Sequence, residues 1–204
     1  MSGTLWLVRH GATDWSDAGR LNGWTDVPLN ERGRAQAKSL AEPLHGIRFA
    51  GVWSSDLRRA SETARLAGRG AASDVRLREL NFGTLEGRTW DRCPSDLQES
   101  LVAFDGFRAP GGESVVALAT RVSRFLEELP DGDHALFTHG GVIRLLLRAA
   151  GSDRHMRSGE FAVVTRDAVS SVGFAVASRR PRPDPQYDPG VKRPRGESNT
   201  RHQV

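Results

Sequence analysis

Short apolar runs alternate along the chain with longer stretches whose apolar residues recur at helical spacing. Leu5–Val8 is an apolar run that stops at Arg9-His10-Gly11. Asn30 then caps a predicted helix with apolar positions Ala35, Ala37, Leu40, Ala41 and Leu44, stopped by Gly46. Asparagine favours the N-cap and glycine the far end. Gly51–Trp53 reads as a second strand, running through Ser54-Ser55-Asp56 into a helix that carries Leu57, Ala60, Ala64 and Ala67. Leu77–Leu80 leads into Phe82-Gly83. Glu113-Ser114 opens an amphipathic helix through Val115, Leu118, Val122, Phe125, Leu126 and Leu129, one face at a 3.6-residue period. Ala135–Phe137 is a buried-type strand that breaks at Thr138-His139-Gly140-Gly141, where Val142–Leu147 begins another helix. Two β-rich runs, Phe161–Thr165 and Ser170–Ala177, follow. This alternation predicts an α/β fold: a three-layer sandwich with a largely parallel central sheet flanked by helices.

Three of the predicted strands end in polar residues: Arg9-His10-Gly11, Ser54-Ser55-Asp56 and His139-Gly140-Gly141. Ligands of open α/β sheets sit beyond the carboxyl ends of the strands. Were these strands parallel neighbours, His10, His139 and the start of the Arg58-Arg59 helix would converge there. The glycines after each histidine let backbone N–H groups approach a ligand, and a helix starting after Gly140 adds a dipole that favours an anion. Arginine offers a rigid fork of donors for phosphate oxygens. These groups together describe a pocket for a phosphoryl group. A metal site is the weaker reading, because the six histidines make no H-x-H or H-E-x-x-H spacing and Arg9 would repel a divalent cation. Neither a P-loop nor a G-x-S-x-G nucleophile elbow occurs.

Composition changes the picture chiefly at one end. The chain has 204 residues, 38% hydrophobic and 26% charged, which suits one domain of about 100–200 residues. Its single cysteine, Cys93, can form no internal disulfide, so a reducing cytoplasm is the expected location. No run of about 18 apolar residues predicts a membrane span, and the N-terminus does not read as a signal peptide. The net charge of +4 comes wholly from residues 179–204, which also hold five of the ten prolines. The expected division is a catalytic domain over 1–177 and a disordered, basic, proline-rich tail over 178–204. Nucleic-acid binding would rest on Lys192-Arg193-Pro194-Arg195 in that tail alone, and a solvated tail is the preferred reading.

Leu7-Val8-Arg9-His10-Gly11-Ala12-Thr13 with Trp15 resembles the R-H-G-x-T-x-W signature of the histidine phosphatase superfamily, which includes cofactor-dependent phosphoglycerate mutases. Four further segments resemble it in order: Gly23–Leu29, Ser55–Ala60 through Thr63-Ala64, Glu79–Gly83 with Glu86-Gly87, and Thr138–Gly141. The resemblance spans about residues 4–150. It implies that His10 is the nucleophile forming a phosphohistidine, with Arg9, Arg59 and His139 around the non-bridging oxygens and Glu79 as proton donor. Glu86 is the rival carboxylate for that role, and Arg58 an ordinary exposed residue. Thr13, Ser16, Asn22, Gly23 and Gly140 are expected pocket lining. Ser16 stands where the family often has asparagine, which puts one oxygen contact in question. His45, His134, His155 and His202 are read as surface or core residues.

No metal and no cofactor is implied, and the expected partner is a small phosphorylated metabolite. A homodimer is possible on base rates alone. Gly112 follows Glu79 by only 33 positions, the stretch 91–111 has just Arg92 and Arg108 as basic residues, and Leu80 follows Glu79 where the mutases usually carry arginine. Pro110–Ser114 resembles the small phosphatases of the superfamily, including α-ribazole phosphatases. The expected activity is therefore a metal-independent phosphomonoester hydrolase. The alternatives are a 2,3-bisphosphoglycerate-dependent phosphoglycerate mutase and a non-catalytic phospho-ligand binder. The segment 104–112 is expected as a lid, with Arg108 for a second anionic group. Phe104, Phe107, Trp24 and Phe82 are read evenly between core and substrate contact.

Overall fold

The structure is a computed structural model that describes residues 2–170. Most of the Ser170–Ala177 run and the whole 178–204 tail lie outside the described residues. The elements in chain order are β1 (Thr4–Arg9), α1 (Asp14–Asp17), α2 (Glu31–Ser39), α3 (Ala41–Leu44), β2 (Gly51–Ser54), α4 (Arg58–Leu66), β3 (Ala72–Ser73), α5 (Ser95–Ala103), α6 (Val115–Glu127), β4 (His134–Thr138), α7 (Gly140–Ala149), β5 (Phe161–Thr165) and α8 (Arg166–Val169). The sheet order is β3-β2-β4-β1-β5. Every neighbouring pair is parallel except β1–β5, which is antiparallel.

Strand periodicity sorts the core into two layers. Leu5 and Leu7 of β1 and Leu136 of β4 point into a cluster with Leu118, Val122 and Phe125 of α6 and Val142, Ile143 and Leu146 of α7. Val8, Ala135 and Phe137 point the other way, onto Leu40 and Leu44 of the α2–α3 pair and onto Ala64 and Ala67 at α4. Successive strand side chains face opposite sides, and both faces of this sheet are covered, so β4 is buried along its whole length. No helix among the described residues is long and apolar enough to cross a membrane.

Local chemistry sets the helix starts. The Asn30 side chain accepts from Gly33 N and that of Ser114 from Ala117 N, both as N-caps. The buried stripe of α2 and α3 is Gly33, Ala37, Leu40 and Leu44, while Ala35 and Ala41 are exposed. Leu57 gives α4 no side-chain cap, and Asp26 from a distant loop accepts from Arg58 N at 2.8 Å instead. Four elements have no counterpart in the hydrophobic pattern: the one-turn helices α1 and α8, and β3 and α5. β3 is two exposed residues, and α5 ends at Phe104, the one non-glycine residue with positive φ (52°) among those described. Leu77–Leu80 is no strand: Val75–Leu77 is a 3-10 turn and the chain then runs irregularly toward the pocket.

Candidate active site

β1 and β4 lie side by side in register, with Arg9 opposite Thr138. The next residues, His10 and His139, therefore emerge together, and their ring centroids lie 5.1 Å apart. The chain after β1 turns to the α2 face and the chain after β4 to the α7 face. The histidines thus stand at a topological switch point, where α/β sheets open a crevice. That crevice is a cavity of about 680 Å³, within the ~300–1,000 Å³ common for small-molecule sites.

His10 is 3% exposed, and its Nδ1 lies 2.7 Å from the carbonyl oxygen of Gly11. A carbonyl only accepts, so Nδ1 carries the proton and Nε2 keeps its lone pair. Burial, then the charges of Arg59 and Arg9, hold the imidazole pKa well below its ordinary value. The His10 imidazole is thus neutral at physiological pH. His139 is fully buried, and its Nδ1 accepts from Arg59 Nε at 3.2 Å. The proton of His139 therefore sits on Nε2, a buried donor with no partner among the described residues. Burial and the Arg59 charge depress its pKa as well. Arg9 Nε is likewise buried and unpartnered, whereas its Nη1 donates to the carbonyl of Met156. Two unused donors beside a free imidazole nitrogen are what an incoming anion would satisfy.

Glu79 reaches the crevice from the segment after the 3-10 turn and is 7% exposed. Its carboxylate accepts from Leu80 N at 2.9 Å and from Gly141 N at 3.0 and 3.1 Å. The anion at the start of α7 is thus the protein's own carboxylate, not a ligand as the sequence reading expected. A Cβ on Gly141 would strike Glu79 Oε1, so glycine is required for that approach. The Glu79 backbone is pinned from two sides. Arg121 Nη2 and Trp24 Nε1 both donate to its carbonyl at 2.8 Å. Glu86, the rival carboxylate, is committed elsewhere: it accepts from Trp24 N and Thr25 N at 2.7 Å and from the Thr25 hydroxyl.

Arg59 has no exposed surface. Besides holding His139, it donates to the carbonyls of Thr25 (3.0 Å), Gly23 and Asn22 (3.3 Å). Desolvation brings its pKa down to about 10, against the opposing pull of Glu79 first, so it remains a cation. Arg58 is exposed, as expected.

Of the ten expected site residues, Arg9, His10, Ser16, Asn22, Glu79 and Gly140 line the cavity, while Arg59, His139, Thr13 and Gly23 do not and are buried. The Ser16 hydroxyl accepts from Thr13 N and donates to Thr13 O, both at 2.9 Å, in a capping box. The N–H groups after His10 are also spent inside the protein. Gly11 N donates to Thr63 Oγ1 (3.1 Å) and Ala12 N to Gln36 Oε1 (2.9 Å). Gly11 packs so closely on α2 that a Cβ there would overlap the Gly33 carbonyl, and one on Gly33 would overlap that of Ala12.

The sequence reading missed His155 and Arg144. His155 lines the exposed mouth of the cavity, with Nε2 3.4 Å from Arg9 Nη1. Desolvation, then Arg9 and Arg144, push its pKa down to about 4. Its signal was indirect. Because β5 runs antiparallel to β1, the loop before β5 must arrive at the His10 end, where Gly159 N donates to His10 O at 3.1 Å. Arg108 is exposed and outside the cavity lining, and α5 with Phe104 forms the outer wall in its place.

The histidine phosphatase superfamily (branch 1) family model matches residues 5–177. A 2,3-bisphosphoglycerate-dependent phosphoglycerate mutase 2 from Gloeobacter violaceus is 35% identical over 161 residues, 70% of this chain and 73% of that one. A probable phosphoglycerate mutase GpmB from Yersinia pestis is 37% identical over 155 residues, 70% of this chain and 72% of that one. The crystal structure of a phosphoglycerate mutase from Thermus thermophilus superposes with a TM-score of 0.75 at 48% identity, covering 79% of this chain and 92% of that one. With paired histidines at adjoining strand ends and this similarity across most of its length, the chain belongs to branch 1 of the histidine phosphatase superfamily, enzymes of phosphoryl transfer.

Proposed function

We propose that this protein hydrolyses a phosphate monoester of a small metabolite through a phosphohistidine on His10, without a metal ion. The observation that carries this reading is a lone-pair nitrogen and unspent donors at the same pair of strand ends: His10 keeps Nε2 free, its ring centroid lies 5.1 Å from that of His139, and His139 Nε2–H and Arg9 Nε–H are buried with no partner among the described residues. His10 Nε2 attacks phosphorus in line while those N–H groups and the Arg59 charge stabilise the equatorial oxygens. The Glu79 carboxylate takes the proton of the bound monoanionic ester and passes it to the departing alkoxide. The same carboxylate then takes a proton from water, which attacks the phosphohistidine and releases phosphate. The buried cations supply the positive charge that such a transition state needs.

Phosphoglycerate mutase is the second reading, and the names of the relatives favour it. Hydrolysis of an aryl phosphate in excess chelator, by wild type and by His10→Ala, tests the proposal. Activity that survives chelation and disappears in the variant, with an acid-labile phosphoenzyme in wild type only, is the expected result. Activity retained without His10, or 3-phosphoglycerate isomerised faster than any ester is hydrolysed, overturns it.

A further inference from the structure

Behind the phosphoryl end, the cavity extends into a wall made by Leu80, Phe82, Trp90, Leu101, Val102 and Phe104. From this wall we infer that the alcohol of the substrate is bulky, uncharged and largely apolar, so that the phosphate is its one anionic group. The inference rests on the hydrolase reading and narrows its substrate class.

Charge accounting at the outer end supports it. A second anion, such as a carboxylate, would need a cation with free donors there. Arg144 lines the cavity, but it is committed. Its Nε and Nη2 hold Asp153 at 2.8 and 3.2 Å, and Nη1 and Nη2 donate to the carbonyls of Leu101 (3.0 Å) and Val102 (2.7 Å). Arg148 is not part of the cavity lining, and its Nη1 donates to Ala103 O at 2.7 Å and Asp153 at 3.1 Å. These arginines cap the carboxyl end of α5 and stack on the Phe104 ring, with guanidinium carbons 4.8 and 5.9 Å from its centroid. Their work is to hold the apolar wall. Arg20 also lines the outer end; its Nη1 donates to Gly87 O at 2.8 Å, it makes no ion pair with Glu99 among the described residues, and the carboxylate of Glu99 in the same lining balances its charge. Arg9 belongs to the phosphoryl end.

Backbone conformation points the same way. Phe104 takes the left-handed region at φ 52°, which is unfavourable for a bulky side chain. That conformation ends α5 and places an aromatic ring, 5% exposed, in the cavity wall. Val102, at 38% exposure, is an apolar side chain open to solvent on the same wall.

The test compares 2-(1-naphthyl)ethyl phosphate with glycerol 3-phosphate and 3-phosphoglycerate on the full chain, in wild type and Val102→Asp. The first two are alkyl esters, so leaving-group acidity does not separate them. Burying roughly 100 Å² of ring sets an expected preference on the order of 50-fold in kcat/KM for the naphthyl ester, mostly in KM. Val102→Asp lowers that preference about tenfold, and the exposure of Val102 lets the variant fold, which a thermal midpoint checks. Calorimetric Kd values for the same three esters on His10→Ala give the order of affinity without turnover. Equal or tighter binding of 3-phosphoglycerate, or a preference unmoved by Val102→Asp, overturns the inference. If wild type turns over none of the esters, the hydrolase reading falls separately, and the Kd order still decides this one.

Discussion

The two ends of the cavity are built by different means. At the phosphoryl end, His10, Arg59 and His139 project from a strand terminus or a helix start and Glu79 from the segment after a 3-10 turn, and their partners are backbone atoms or other buried side chains. His10 is tied to Gly11 O, His139 to Arg59, Arg59 to three loop carbonyls, and Glu79 to Gly141 N. At the alcohol end, a nine-residue helix and the loop before β5 form the wall, with Val102 and His155 open to solvent. The first arrangement fixes charge and proton position ahead of reaction, which is where electrostatic catalysis gains most. The second presents area. The lesson is that chemistry and selection are separable here, so mutations at the two ends should leave different kinetic signatures.

The largest expected effect is at the first end. His10→Ala should lower turnover of every ester by at least about 10⁴-fold, since the proposed mechanism runs through a covalent intermediate on His10 alone; single-turnover assays check this. Glu79→Gln should cost about 10²–10⁴-fold in kcat for alkyl esters and far less for p-nitrophenyl phosphate, whose leaving group needs no proton. An equal loss for both would remove Glu79 from the proton-donor role. Arg59→Lys should cost on the order of 10²–10³-fold in kcat. It should also cost about 1–3 kcal/mol of stability, since buried carbonyls lose their donor; denaturant titration reads the second part. A catalytic loss with no stability loss would show that Arg59 does not also brace the 22–25 loop.

The smallest effect belongs to the rim. His155 is held at about 4 in the folded protein against 6.5 in its ordinary state. The unfolded chain therefore binds the proton first as pH falls. That contribution to stability is whole above about pH 6.5 and is lost progressively down to about pH 4. His155→Gln should flatten this part of the stability–pH curve while changing kcat/KM at pH 7 by less than about threefold. An unchanged curve would mean that His155 does not stand against Arg9 in solution.

How far each end was legible follows from the same difference. Arg9-His10-Gly11 and His139-Gly140 lie where apolar runs stop, so the pattern located them, whereas Arg59 and Glu79 end no strand and were marked only by their resemblance to the family's motifs. The sheet and its two layers followed from alternation at Leu5–Val8 and Ala135–Phe137. The outer wall carries no such mark. α5 packs only one side of a weakly amphipathic stretch, and its closing residue is a phenylalanine in a conformation that sequence assigns to glycine. Arg144 looks like any helix-surface arginine until Asp153 and the α5 carbonyls surround it. The partners of Glu79 and Gly11 were equally hidden, because Gly141, Thr63 and Gln36 meet them only across the fold.

The contact between Gly11 and Gly33 has a consequence for how this sequence can drift. α2 lies on the outer layer and shows mostly exposed side chains, so most of its positions should accept substitution freely in a saturation scan. Gly33 is different: any side chain there would drive into the Ala12 carbonyl and displace the turn that carries His10. A position on the outer helix, outside the cavity lining, should therefore be as intolerant as His10 itself. Suppressors of a Gly33→Ala lesion are to be sought in the turn after β1 and not among the neighbours of Gly33 on its own helix.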